Sequence, residues 1–112
     1  MNTFIATAPT SEIAKFCQRW LIHELALFGS VLRDDFDSNS DVDVLVTFSP
    51  EANWGLLDHV QMQQELQALL RRNVDLISKR ALERSRNWML RNEILNTAET
   101  LFPQRKATYA TG

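Results

Sequence analysis

A single cysteine, Cys17, in 112 residues rules out an intrachain disulfide and makes a reducing compartment the default. No segment approaches the ~20 consecutive apolar residues that a membrane-spanning helix needs. The N-terminal stretch also lacks the charged-then-apolar pattern of a secretory signal. The expectation is a soluble, cytoplasmic protein with no membrane partner. Excess positive charge is missing as well: the formal net charge is −2 and the isoelectric point about 5.6. No global field therefore draws in a nucleic-acid backbone, and direct nucleic-acid binding is not expected. Internal repeats, low-complexity tracts and composition breaks are all absent. The chain reads as one domain over 1–112, with 1–9 and 103–112 expected to be flexible.

What is present is ordinary for a small globular domain: 45% hydrophobic and 23% charged residues, enough to bury one core. The charges, however, are segregated. Asp34, Asp35, Asp37, Asp41 and Asp43 crowd one stretch that holds no Lys or Arg. Arg71, Arg72, Lys79, Arg80, Arg84, Arg86 and Arg91 follow later. An acidic cluster beside a basic stretch suits a metal–triphosphate site better than a DNA-binding face.

Apolar periodicity divides the chain into elements. Thr10 or Ser11 reads as the N-cap of an amphipathic helix through Ile13, Phe16, Cys17, Trp20 and Leu21, with His23 at its end. Leu25–Phe28 is a short buried strand that stops at the turn Gly29-Ser30. Val31 to Phe36 fits a short helix, and Ser38-Asn39-Ser40 a loop. Val42, Val44 and Val46 alternate with Asp43, Leu45 and Thr47, the pattern of a second strand. Asn53 would cap a helix over 54–72, after which Val74–Ile77 forms a third strand and Ser78 caps a further helical region. The apolar stripe of that region comprises Trp88, Ile94, Leu95, Ala98, Leu101 and Phe102. This order predicts an α/β (α+β) fold, a small mixed sheet of three to four strands with helices packed on it.

Three sequence elements point to chemistry: Gly29-Ser30, Asp41-x-Asp43 and Asp75. Residues two apart on a strand project from one face, so Asp41 and Asp43 aim together. Their mutual repulsion favours a cation between them. Mg²⁺ suits the pair, because it takes few protein carboxylates and completes its shell with water and phosphate. Asp75 stands in an otherwise apolar strand. If that strand lies beside the second, all three carboxylates converge into a two-metal arrangement. Gly29 permits close backbone approach, and Ser30 with the N–H groups after it can hold phosphates. Arg33, nearly one helical turn on, can reach the same phosphates.

The run LFGSVLRDDFDSNSDVDVLVTF, residues 27–48, together with VDLIS around Asp75, resembles the polymerase-beta-like nucleotidyltransferase superfamily. More narrowly it is similar to the minimal nucleotidyltransferase (MNT) family, and NEILNTAETLF resembles that family's last helix. The resemblance spans roughly residues 12–102. It implies metal binding and catalysis by Asp41, Asp43 and Asp75, and nucleotide binding by Gly29, Ser30 and Arg33. It also implies ATP as substrate with two Mg²⁺ ions. The implied partner is a HEPN-domain toxin encoded beside the chain, neutralised by transfer of AMP to a tyrosine. Val31 and Asp34 depart from the family's pattern, leaving fewer positive groups near the triphosphate.

Plainer readings exist for the same residues. Asp41 and Asp43 could be a solvated turn entering a strand, and Asp75 an edge-strand aspartate paired with Arg71 or Arg72. His59 reads as a half-buried, satisfied histidine, Cys17 as core, and Trp20, Trp54 and Trp88 mostly as core. The basic run Lys79–Arg91 is either a solvated face or a surface that meets an acidic partner. A non-catalytic antitoxin that masks its partner by occlusion is the alternative function.

Overall fold

In the computed structural model, which describes residues 9–29 and 41–103, four helices flank a four-stranded sheet. Helix α1 (Thr10–Arg19) begins ahead of either expected cap, Thr10 or Ser11, with Pro9 at the N-cap and no side chain capping it. The Pro9 carbonyl accepts the Ile13 N–H at 3.0 Å. The helix ends where Leu21 turns into the left-handed region (φ 56°) and sends the chain into β1 (Ile22–Phe28). His23 consequently lies exposed on β1, not at the helix end, and the strand is longer than its apolar run predicts.

Strand β2 (Val42–Phe48) pairs antiparallel with β1, and β3 (Val74–Ser78) pairs parallel with β2. The parallel pair requires a crossover, supplied by α2 (Leu56–Leu70). That helix starts at Gly55, whose N–H donates to the Asp58 carboxylate at 2.9 Å; the predicted Asn53 cap lies outside it. Ser78 does cap α3 (Lys79–Glu83), its hydroxyl accepting the Ala81 N–H at 3.1 Å. Helix α4 (Trp88–Thr97) opens with the Asn87 side chain accepting the Leu90 N–H.

The largest departure follows α4. Leu101 and Phe102, read as the end of a helical stripe, belong to a fourth strand, β4 (Glu99–Phe102). Ala98 leaves the helix with extended backbone, and β4 pairs antiparallel with the free edge of β1. The backbone groups of that edge need partners, and pairing also buries Leu101. A local helical period is thus overridden by an open sheet edge. The strand order is β3-β2-β1-β4. Of the ends expected to be flexible, only Pro9 and Pro103 fall within the described residues.

The sheet separates two apolar clusters. On one face Leu25, Leu27, Val42, Val44, Val46, Val74 and Leu76 pack against Ile13, Phe16 and Cys17 of α1 and Met62, Leu66 and Leu70 of α2. On the other face Leu45 meets Leu82 of α3 and Ile94 of α4, flanked by Phe28 and Ile77. The two main helices are tied by Glu65, which pairs with Arg19 and accepts the Trp20 indole N–H at 2.9 Å. Trp54 in turn donates to the Trp20 carbonyl and meets its ring edge-on, with centroids 5.1 Å apart. Trp88, expected in the core, is exposed. His59 is half-buried, its Nε2 lying 3.0 Å from the Leu76 carbonyl oxygen. No described helix is long and apolar enough to cross a membrane.

Burial pushes the Cys17 thiol from 9.0 up to about 12, because the thiolate is desolvated inside the core. The folded chain then keeps a proton that the unfolded chain releases above pH 9.0. The stability carried by the neutral thiol is present below that pH and is lost as the pH rises toward about 12. Denaturant titrations from pH 8 to 11 should show a flatter alkaline decline in Cys17→Ala than in the wild type. The slopes should differ by at most about 1.4 kcal/mol per pH unit; parallel profiles would contradict the assignment.

Candidate active site

Sheet register, more than any single residue, assembles the site. Phe28 at the end of β1 is the partner of Asp43, and Asp43 is the partner of Asp75 across the parallel pair. The last residue of β1 and the first residues of β2 and β3 therefore meet at one end of the sheet. The Val42 N–H donates to the Asn73 carbonyl at 2.8 Å and locks that register at its start. Val42 and Val44 point into the main core, as do Val74 and Leu76. Alternation then sends Asp43 and Asp75 out from the opposite face, side by side at the ~4.8 Å spacing of neighbouring strands. Phe28 and Ile77, on that same face, pack against the smaller apolar cluster and support the floor beside them.

Gly29 follows Phe28 with φ at +75°, a conformation that L side chains rarely adopt. A Cβ built there would stand 2.3 Å from an Asp43 carboxylate oxygen and 3.2 Å from its Cγ. The sequence reading assigned this glycine to close backbone approach. The neighbour that requires the space is the Asp43 carboxylate itself, a contact with no signal in the sequence beyond the Gly/Asp spacing.

Exposure grades the three aspartates. Asp43 is half-buried, whereas Asp75 and Asp41 are exposed, Asp41 lying one residue ahead of β2. Asp75 is exposed despite its apolar flanks, because β3 is the outer strand of the sheet. Among the described residues no group of three His, Cys, Asp or Glu side chains is disposed to hold a metal ion. The register brings Asp43 and Asp75 together, and Asp41 does not join them in a three-membered cluster. Two adjacent carboxylates nevertheless match the modest protein share of a Mg²⁺ shell, whose remaining ligands are water and phosphate oxygens. Their donor set and the open side of β3 fit such an ion. Ser30, Arg33 and the expected short helix Val31–Phe36 lie outside the described residues.

This geometry makes Gly29 sensitive to a single methyl group. Gly29→Ala combines the left-handed penalty, about 1–2 kcal/mol, with a clash against the Asp43 carboxylate. Stability measured by denaturant titration should fall by at least that penalty. An unchanged midpoint would show that the turn tolerates a Cβ.

Residues 11–100 match the nucleotidyltransferase domain family. The protein adenylyltransferase MntA of Thermococcus cleftensis is 37% identical over 79 residues, covering 70% of this chain and 75% of that protein. A chain in the crystal structure of a toxin–antitoxin with AMP-PNP superposes with a TM-score of 0.65 at 22% identity, over 84% of this chain and 73% of its own length. A second neighbour comes from a complex of tri-AMPylated Shewanella oneidensis HEPN toxin with MNT antitoxin. It gives a TM-score of 0.58 at 20% identity, over 91% of this chain and 72% of that one. The two structures establish a shared fold, while the domain match and the MntA identity go further. The chain belongs to the nucleotidyltransferase domain family, among the minimal nucleotidyltransferases related to MntA, and is a nucleotidyltransferase.

Proposed function

We propose that this nucleotidyltransferase is an antitoxin that transfers AMP from ATP to a hydroxyl, a tyrosine by preference, on a HEPN-domain toxin and so neutralises it in the cytoplasm. The observation that carries the reading is the juxtaposition of Asp43 with Asp75 beside Gly29. The adenylyltransferase name of the Thermococcus relative and the AMPylated toxin in the Shewanella complex support the choice of reaction and partner. The AMP-PNP in a structural neighbour supports ATP as the donor.

In this reading Asp43 and Asp75 would hold Mg²⁺, two ions in the full complex, and Asp41, at the entry to β2, would join them only once the nucleotide and metal are bound. Mg²⁺ when bound neutralises triphosphate charge and favours the ionised acceptor oxygen. The remaining work falls to the chain. Gly29 lets the backbone come close to the phosphates, while Ser30 and Arg33 bind the β- and γ-phosphates. Asp75, the most open of the paired carboxylates, takes the proton of the acceptor hydroxyl as its oxygen attacks the α-phosphorus. A new O–P bond forms, the bond from the α-phosphorus to the bridging oxygen breaks, and pyrophosphate leaves. The charge of Asp43 is held in place by the packing of its strand. The positioning of two reactants in this way removes much of the entropic barrier.

The direct test uses the purified chain, the HEPN protein encoded beside it, Mg²⁺ and ATP labelled in the α-phosphate. Labelled partner is the expected product, and chelation of Mg²⁺ should abolish it. Asp43→Asn should lower the rate roughly 100-fold or more while the two proteins still co-elute. If Asp43→Asn neutralises the toxin as well as the wild type does, and no label is transferred, masking by occlusion replaces this reading.

A further inference from the structure

We propose that the first turn of α4 and the basic segment leading into it form the surface on which the acceptor protein docks, by an acidic and apolar patch of its own. This inference rests on the protein-acceptor reading above and extends it to residues outside the carboxylate site. Trp88, Met89 and Leu90 are consecutive and exposed at 60%, 67% and 46%. Successive helical residues are rotated by about 100°, so three in a row cannot all face one core. Ile94 alone of this helix is buried, against Leu45 and Leu82. A partner that receives the start of the helix would cover what the chain's own core cannot. Large apolar side chains left exposed together at the start of a helix, beside charged residues, mark interaction surfaces.

The rim states the partner's chemistry. Residues 79–91 carry five basic side chains against one carboxylate, Glu83, in a chain whose net charge is −2. Arg80, Arg84 and Arg86 are exposed, and none has an ion-pair partner among the described residues. Arginine and tryptophan, here close together in sequence, are the residue types enriched at the energetic centre of protein interfaces. The guanidinium groups call for carboxylates on the opposing surface. The placement is also productive. Ile94 of α4 joins Leu45 and Leu82 in the cluster against which Phe28 and Ile77 pack, on the sheet face from which Asp43 and Asp75 project. Phe28 is the register partner of Asp43, and Ile77 lies two residues past Asp75 on its strand. A protein seated on α4 therefore stands on the same side of the sheet as the carboxylates, where an acceptor hydroxyl has to arrive.

The test compares three full-length variants by their affinity for the purified HEPN protein encoded beside the chain and by ATP binding without it. Arg84→Glu combined with Arg86→Glu, and Trp88→Ala combined with Met89→Ser, change exposed side chains only, so circular dichroism and melting should match the wild type. Each is expected to weaken partner binding tenfold or more. The arginine pair should also remove most of its salt dependence, and ATP affinity should stay within twofold. Leu57→Ser, on an exposed apolar residue of α2, serves as the control and should bind as the wild type does. In AMP transfer the patch variants should raise the KM for the partner and leave kcat in place. Partner affinity within twofold of wild type in both patch variants overturns the proposal, as does loss confined to Leu57→Ser. Loss of affinity for single-stranded RNA with unchanged protein binding overturns it in favour of a nucleic-acid surface. If the patch variants lose binding but the wild type transfers no AMP, docking stands and the transferase reading falls. Transfer abolished by Asp43→Asn with patch variants fully active gives the reverse.

Discussion

The constraint on which the site depends is the packing of a carboxylate into the space that a missing Cβ leaves. Asp43 sits against Gly29 so closely that the turn and the strand cannot be varied independently. Gly29 must hold its left-handed backbone to clear the carboxylate, and the strand must hold its register to present it. Both requirements are met from behind. Val42, Val44 and Val46 are fully buried between α1 and α2, so slippage by one residue would turn three valines to solvent and an aspartate into the core. Hydrophobic burial on one face thus fixes the electrostatics of the other.

The parallel pair extends this logic to Asp75. A parallel strand with its crossover helix costs more chain than a hairpin, yet it places two strand beginnings side by side. Aspartates near each beginning then become neighbours although 32 positions separate them in sequence. Two like charges held adjacent repel, and the geometry keeps them adjacent, so the arrangement favours a bound cation over an empty pair. The outer position of β3 leaves Asp75 exposed.

Much of this was legible in the sequence. The valine alternation marked β2, the apolar run before Gly29-Ser30 marked β1, and the short strand around Asp75 followed from its flanks. The carboxylates were singled out by spacing, and the structure places Asp43 beside Asp75 through register. Other features depended on tertiary context. The helical period through Leu101 and Phe102 gave way to the pairing demand of the β1 edge. The apolar residues Leu56, Leu57 and Trp88 fit helical stripes, yet the finished packing leaves all three exposed. Trp54 reads as a helix opener, whereas Gly55 and Asp58 form the actual helix start and free its indole to bond the Trp20 carbonyl. Periodicity reports which side chains want burial; it does not report which of them the finished packing accommodates.

The central claim is that Asp43 and Asp75 act as one ligand set for a divalent ion beside a triphosphate. Titration of Mn²⁺ by electron paramagnetic resonance, with AMP-PNP present, measures this directly. The account predicts that Asp43→Asn and Asp75→Asn each weaken Mn²⁺ binding tenfold or more, and that the double variant is little worse than either. Wild-type Mn²⁺ affinity in Asp75→Asn would contradict it.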